Sequence, residues 1–228
     1  MLAFVEQAGI QAELDALRER LARAEASERR RIGRELHDST SQLLVAAQLS
    51  MAAVERRAFL TPEAQAALAE ARQSIAGVQA EIRAVSYLLH APPLPGEGLA
   101  QGLRAFCAGF ARRTGLAITV KVAGSVPRLS DRLELGLYRI AQEALMNVYR
   151  HAHAAKVVVR LRLAQGRVVL DIADDGDGLA SPREHVSGVG ISGMQGRMIE
   201  LGGALSLVTG RRGLLVRAEA PIELTLDA

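Results

Sequence analysis

Apolar residues recur with the period of a helix up to about residue 90, and the pattern turns mixed after residue 98. Ile10, Leu14, Leu17, Leu21 and Ala24 follow at alternating steps of four and three, a heptad seam set among Glu, Arg and Gln. The seam resumes at Ile32, Leu36, Ser39, Leu43, Ala46, Ser50 and Ala53. Joining the two frames takes successive steps of four through Glu28, a stutter that locally unwinds a coiled coil. Such a break can relay a rotation or shift of the incoming helix; a plain irregularity in a long helix is an equal reading. Thr61-Pro62-Glu63 supplies a cap, a proline at the first helical position and an acid in the first turn. A second helix is therefore expected, with Leu68, Ala71, Ile75, Val78, Ile82, Val85 and Leu89 on one stripe. Two long helices joined by a short turn form a hairpin. Alone it would leave much of its apolar surface wet, so pairing of two copies into a four-helix bundle, a homodimer, is expected.

Ala91-Pro-Pro-Leu-Pro-Gly-Glu-Gly98 stops the helix and reads as an interdomain linker. Beyond it, Leu99, Leu103, Phe106 and Phe110 mark a helix, and Leu116 to Val122 alternates as a strand. Ser130 can cap a helix reaching about His151, with Leu133, Leu137, Ile140, Ala144 and Val148 inward. Lys156–Leu163 and Arg167–Ala173 read as a hairpin of strands. Val189 to Leu201 reads as a helix ended by Gly202-Gly203, and Ala204–Val208 and Leu214–Leu224 as two last strands. The expected class is α+β: a helical hairpin that dimerises, followed by an α/β sandwich with helices on one face of a sheet.

Composition narrows the picture. Of 228 residues, 49% are hydrophobic and only 3% aromatic, so a core can form and must be aliphatic. The net charge of +3 is too small to argue for nucleic acid. The cluster Arg29-Arg30-Arg31 with Arg34 has no interleaved aromatics and reads as a solvated helix face. Cys107 stands alone in an apolar stretch, which excludes an internal disulfide and fits a small buried hydrophobe in a reducing cytoplasm. No apolar run approaches the ~20 residues needed to cross a membrane, and no signal peptide is visible at the N-terminus. A sensing region, if the protein has one, is expected outside this chain.

Four stretches carry candidate chemistry. In Glu28–Gln42, ERRRIGRELHDSTSQ, His37 follows Leu36 and so leaves the apolar stripe. Asp38 is beside it, and Gln42 is one turn further on the Asp38 face. An exposed imidazole next to a carboxylate can act as a nucleophile, the carboxylate orienting the ring or taking its proton; a solvated face with a chance His-Asp pair is the alternative. Glu143 and Asn147, four apart, can offer oxygen ligands to Mg²⁺ or be two polar residues on an exposed face. Asp174-Asp175-Gly176-Asp177-Gly178 ends a strand, where a carboxylate can accept from an exocyclic amine and glycines admit a flat ring; a plain turn is the alternative. Gly188-Val189-Gly190-Ile191-Ser192-Gly193 opens a helix, where free N–H groups suit phosphate. It is neither a Walker A motif nor a dinucleotide fingerprint.

The order of these clusters is more telling than any one of them. The chain resembles sensor histidine kinases of the NarX/DesK type over roughly residues 25 to 225. Glu143 and Asn147 within RIAQEALMNVYRHAHA resemble the N box, Asp174-x-Gly176-x-Gly178 the G1 box, and Gly188-x-Gly190 through Gly203 the G2 segment. ERRRIGRELHDSTSQ resembles the phospho-acceptor box, and Leu88 to Leu103 the junction after its second helix. The resemblance implies residues 1–27 as a coiled-coil signalling helix, 28–91 as the dimerisation and phosphotransfer domain, 92–98 as the linker, and 99–228 as the ATP-binding domain. It implies ATP and Mg²⁺, with Asn147 on the metal, Glu143 assisting, and Arg150 and His151 at the phosphates. Asp174 would bind the adenine amine, with Gly176 and Gly178 at the base. Residues 179–187 would form a lid hinged at Gly188 and Gly190. The phosphoryl group would pass to His37, with Asp38 as base or orienting group. It would then pass to an aspartate of a response-regulator receiver domain, usually one with a helix-turn-helix output. Gln42 would position the water that dephosphorylates that regulator. Met146 replaces a frequent first Asn, Ser41 a usual Gly, and Leu214 a common Thr near the adenine site. Leu214 is the one feature favouring the alternative of an ATP-binding pseudokinase or scaffold that acts through dimer contacts.

Overall fold

The structure is a computed structural model that describes residues 28, 31, 40–57, 59–89, 94, 96–178, 189–210 and 212–222. The heptad segment 10–24, the stutter, His37, Asp38, residues 179–187 and Gly188 lie outside the described residues. Two units divide between His90 and Ala91.

The first unit contains α1 (Ser41–Arg57) and α2 (Pro62–Leu89). Thr61 caps α2 as its sequence implies: its hydroxyl accepts from the Ala64 N–H at 3.3 Å, and its carbonyl from Gln65 at 2.9 Å. The two helices pair through reciprocal amide bonds of Gln48 and Gln79, at 3.2 and 3.3 Å. An exposed Arg72–Glu55 ion pair adds a contact at 2.6 Å. Leu44, Ala47, Gln48 and Met51 form the part-covered face of α1. The expected seam runs one position round the helix: Leu43 is 70% exposed, and Ala46 and Ser50 are exposed too. The hairpin thus uses one apolar face internally and leaves a second, with Leu43 and Leu49, facing solvent. On α2, Ala84 is fully buried, whereas Val78 of the expected stripe is exposed.

The second unit runs α3 (Leu99–Thr114), β1 (Ala117–Ala123), α4 (Asp131–His151), β2 (Lys156–Ala164), β3 (Arg167–Asp174), α5 (Val189–Glu200), β4 (Ala204–Thr209) and β5 (Leu214–Pro221). The sheet order is β1-β2-β3-β5-β4, with β1 parallel to β2 and the other pairs antiparallel. In register, Val159 faces Ile172 and Leu161 faces Leu170, while Ile172 and Leu170 face Val216 and Ala218 of β5. These residues form a buried sheet face on which α4 packs. Every inward position expected on α3 and α4 is buried. Phe106 stacks on Phe110 at 5.7 Å and meets Tyr138 edge-on at 5.8 Å, so the few aromatics gather between α3 and α4. Ser130 caps α4, its hydroxyl accepting from Leu133 N–H. β5 runs to Pro221, which pairs with Arg167 at the start of β3; Leu224, the expected end, lies outside the described residues.

Candidate functional site

Glu143 and Asn147 lie on α4, half-exposed on the side where α5 begins. A Cβ added at Gly190 would overlap the Glu143 carboxylate and stand 3.5 Å from the Asn147 amide nitrogen. The missing side chain therefore lets the first turn of α5 approach both polar groups. The first-turn N–H groups and the positive end of the helix dipole favour an anion there, next to two side chains carrying oxygen donors. Arg150 and His151 follow on the last turn of α4, exposed and one turn beyond Asn147.

The second group gathers at the end of β3. Asp174 Oδ1 accepts from the Gly176 N–H at 2.9 Å and Oδ2 from the Leu214 N–H at 3.3 Å. Burial pushes this carboxyl above its ordinary range, and Asp175 adds to the push, while the two N–H bonds pull it back. Each oxygen keeps a lone pair for an incoming donor such as an exocyclic amine. Gly213 N–H donates to the Gly176 carbonyl at 2.6 Å, closing the β4–β5 turn onto the loop. Gly178 has φ of 73°, a left-handed conformation natural to glycine.

The end of α4 joins the two groups. The Ala152 carbonyl accepts from Asp177 N–H at 2.9 Å and lies where a Cβ of Gly176 would be. Asp175 Oδ1 accepts from the N–H groups of Ala155 and Lys156 at 2.9 and 2.8 Å, so this acid ties the loop to the start of β2. Those bonds hold the Asp175 carboxyl below the ordinary carboxylate range. His153 Nδ1 lies 3.0 Å from Asp177 Oδ2.

The structure thus assembles Glu143 and Asn147 with Gly190, and Asp174 with Gly176 and Gly178. Gln42 is exposed near the start of α1 in the other unit. Sequence reasoning missed Thr209: it pairs with Leu214 across β4–β5, and its methyl lies 3.3 Å from the Cβ position of Gly178. Only the strand register reveals it. The substitution at Leu214 also acquires a reading, since what reaches Asp174 is a backbone N–H available to any residue except proline.

The donor set fits a magnesium nucleotide. Mg²⁺ takes one or two protein oxygens and completes its shell with phosphate oxygens and water, which matches a pair such as Glu143 and Asn147. Gly176, Gly178 and Gly190 let the Ala152 carbonyl, the β4–β5 turn and the Glu143 carboxylate approach the backbone more closely than a side chain would allow.

The family described as "Histidine kinase" matches residues 28–94, and that described as "Histidine kinase-, DNA gyrase B-, and HSP90-like ATPase" matches residues 132–224. Sensor histidine kinase MctS of Rhizobium johnstonii is 35% identical over 97% of this chain and 49% of its own length. The chain belongs to the sensor histidine kinases. Sensor histidine kinase LiaS of Bacillus subtilis is 31% identical over 86% of this chain and 55% of that protein. The chain spans about half the length of these relatives. The histidine kinase domain of a blue-light activated histidine kinase from Erythrobacter litoralis superposes with a TM-score of 0.48 and 19% identity, covering 75% of this chain and 93% of that one. In this histidine kinase the ATPase match contains both polar clusters described above, and the other match contains His37 and Gln42.

Proposed function

We propose that this chain is the catalytic part of a two-component sensor kinase, which phosphorylates His37 from ATP and passes the group to an aspartate of a response regulator. The observation that carries the reading is the convergence on α4: the first turn of α5 abuts Glu143 and Asn147, and the Asp174 loop is bonded to the end of the same helix. Asp174 would accept from the adenine amine, Gly176 and Gly178 would border the base, and Asn147 with Glu143 would hold Mg²⁺. Bound Mg²⁺ would neutralise charge on the transferring phosphoryl group. Arg150 and His151 would meet the phosphates, and Gly188 and Gly190 would hinge residues 179–187 over them. A nitrogen of His37 attacks the γ-phosphorus, the bond to the β–γ bridging oxygen breaks, and ADP leaves. Asp38 orients the ring or takes its proton. Gln42 positions water for dephosphorylation of the regulator.

The solvent-facing leucines Leu43 and Leu49 support a homodimer through a four-helix bundle. The receiver-domain partner, its helix-turn-helix output, an upstream sensor outside this chain, the absence of direct nucleic-acid binding and a cytoplasmic location follow from the same reading. No helix among the described residues is long and apolar enough to cross a membrane. The alternative, an ATP-binding pseudokinase or scaffold acting through dimer contacts, rests on Leu214, which offers no hydroxyl near the adenine site although its N–H donates to Asp174 at 3.3 Å.

The test is incubation with γ-labelled ATP and Mg²⁺. An acid-labile, alkali-stable label that disappears in His37→Gln is expected. An unlabelled wild type, or label persisting in His37→Gln, refutes the assignment. Gln42→Ala should keep autophosphorylation and slow dephosphorylation of the regulator; equal loss of both overturns its role.

A further inference from the structure

The chain enters the nucleotide-binding unit through Gly96, Glu97 and Gly98, and one side chain holds that entry. Arg128, just before α4, donates from Nη1 to the Gly96 carbonyl at 2.7 Å and from Nη2 to Asp131 Oδ1 at 2.8 Å. The same Nη1 lies 3.5 Å from Oε2 of Glu134. Glu134 is only 1% exposed and sits on the first turns of α4, the helix that carries Glu143 and Asn147. Its Oε1 accepts from Leu129 N–H at 3.2 Å, while Oε2 has no hydrogen-bond partner among the described residues. A buried carboxylate needs a countercharge, and Arg128 supplies it. Gly98, with φ of 93°, is the residue before α3, and its Cβ position lies 3.3 Å from Glu134 Oε1. The entry turn, the start of α3 and the start of α4 therefore meet on one Arg–Glu pair.

We propose that Arg128 is a positioning residue: by holding Gly96 against the start of α4, it fixes how the linker leaves the nucleotide unit and so how bound ATP is presented to the histidine of the helical unit. The inference rests on the kinase reading above and adds a residue outside every motif of the nucleotide crevice. Among the described residues Arg128 is bonded to Gly96, Asp131 and Glu134 and to none of the proposed nucleotide ligands, so nucleotide affinity should not depend on it. The transfer rate should, because productive attack needs the reacting atoms aligned and small misplacements are costly.

The experiment uses the full chain with Arg128→Ala, Arg128→Lys and Asp131→Asn. Arg128→Ala should bind a fluorescent ATP analogue within about twofold of wild type, while the initial rate of histidine labelling at saturating ATP falls about fivefold or more. Arg128→Lys, which keeps the charge and one donor, should recover part of the rate. Asp131→Asn removes only an exposed ion pair and should change neither quantity. Parallel loss of affinity and rate in Arg128→Ala, an unchanged rate, or an Asp131→Asn phenotype equal to Arg128→Ala overturns the proposal. If wild type takes no label, the kinase reading fails by itself, and the clamp is decided by hydrogen exchange. The amide of Gly102, bonded to the Gly98 carbonyl at 3.1 Å, and that of Leu129 should then exchange faster in Arg128→Ala. Unchanged exchange refutes the clamp.

Discussion

Gly176 and Gly178 are two residues apart, and alanine should disrupt them for different reasons. At Gly176 the obstacle is space. A Cβ there would overlap the Ala152 carbonyl oxygen and stand 2.8 Å from the carbonyl carbon and 2.9 Å from the Ala152 Cβ, where relaxed carbon contacts need about 3.5 Å. Ala152 is held on both sides, its N–H on Val148 at 3.0 Å and its carbonyl on Asp177 N–H at 2.9 Å. Backing the loop away therefore breaks the Asp177 bond. It also strains the Gly213-to-Gly176 bond at 2.6 Å and the Gly176-to-Asp174 bond at 2.9 Å. Two or three bonds at about 1 kcal/mol each amount to roughly 2–3 kcal/mol, a fall in Tm of roughly 6–15 °C for a unit of this size. Nucleotide affinity should drop about tenfold or more, since Asp174 loses an N–H that orients it. At Gly178 the main obstacle is φ of 73°, which costs alanine about 1–2 kcal/mol and which asparagine tolerates better; the Gly213 carbonyl oxygen and the Thr209 methyl, 3.1 and 3.3 Å from the Cβ position, add a lesser crowding common to both residues. Gly178→Asn should therefore regain part of what Gly178→Ala loses, and Gly176→Asn should regain nothing over Gly176→Ala. Thermal unfolding and titration with a fluorescent nucleotide measure both quantities. The reasoning fails if Gly176→Ala melts within about 2 °C of wild type and binds nucleotide unchanged, or if asparagine is accepted equally well at both positions.

Three further outcomes are expected. On the proposed reading Asp174 is ionised when it accepts from the base, and burial raises its folded pKa above the ordinary 3.8. Affinity should therefore fall on acidification at a pH higher than for an ordinary aspartate, and Asp174→Asn should bind weakly with that limb absent from the titration. Asp171, 4% exposed, is held by Arg217 at 2.7 and 3.2 Å, with Arg162 at 3.9 Å. Arg217→Ala should destabilise the unit in urea by about 2 kcal/mol, less than for a fully enclosed pair because Arg217 is partly exposed and Arg162 remains, and Asp171→Asn in that background should restore part of it. Burial pushes the Cys107 thiol up to about 12, so iodoacetamide at pH 8 should leave it unmodified in native protein and alkylate it in denaturant. Because that folded pKa lies above the ordinary 9.0, the thiol's contribution to stability should decline as pH rises from 9.0 towards 12.

Local features of this chain were legible in its sequence. The faces of α3 and α4 follow from the spacing of Leu103, Phe106 and Phe110 and of Leu133, Leu137, Ile140, Ala144 and Val148, all buried as that spacing requires. Thr61 and Ser130 announce helix starts because a side-chain oxygen that reaches an N–H three residues on is a short-range event. The spacing of Glu143 and Asn147 puts them on one face of α4, and the glycines around Asp174 mark a turn, since both depend on neighbours within a turn.

Only the tertiary structure decided which of these groups meet. Sequence periodicity does not state that β5 lies between β3 and β4, nor that β1 runs parallel to β2. Those choices bring Leu214 to Asp174 and Thr209 to Gly178. The same holds for Gly190 against Glu143, for Arg217 on Asp171, and for Arg128 on Gly96. On α1, two neighbouring stripes are apolar enough to pack, and the structure selects the one with Leu44 and Gln48, leaving Leu43 outward. The physical reason is common to all of these. A helix face or a cap is set by groups a few residues apart, whereas strand order and crevice contacts depend on burial and hydrogen bonding summed over distant segments, which no local pattern encodes.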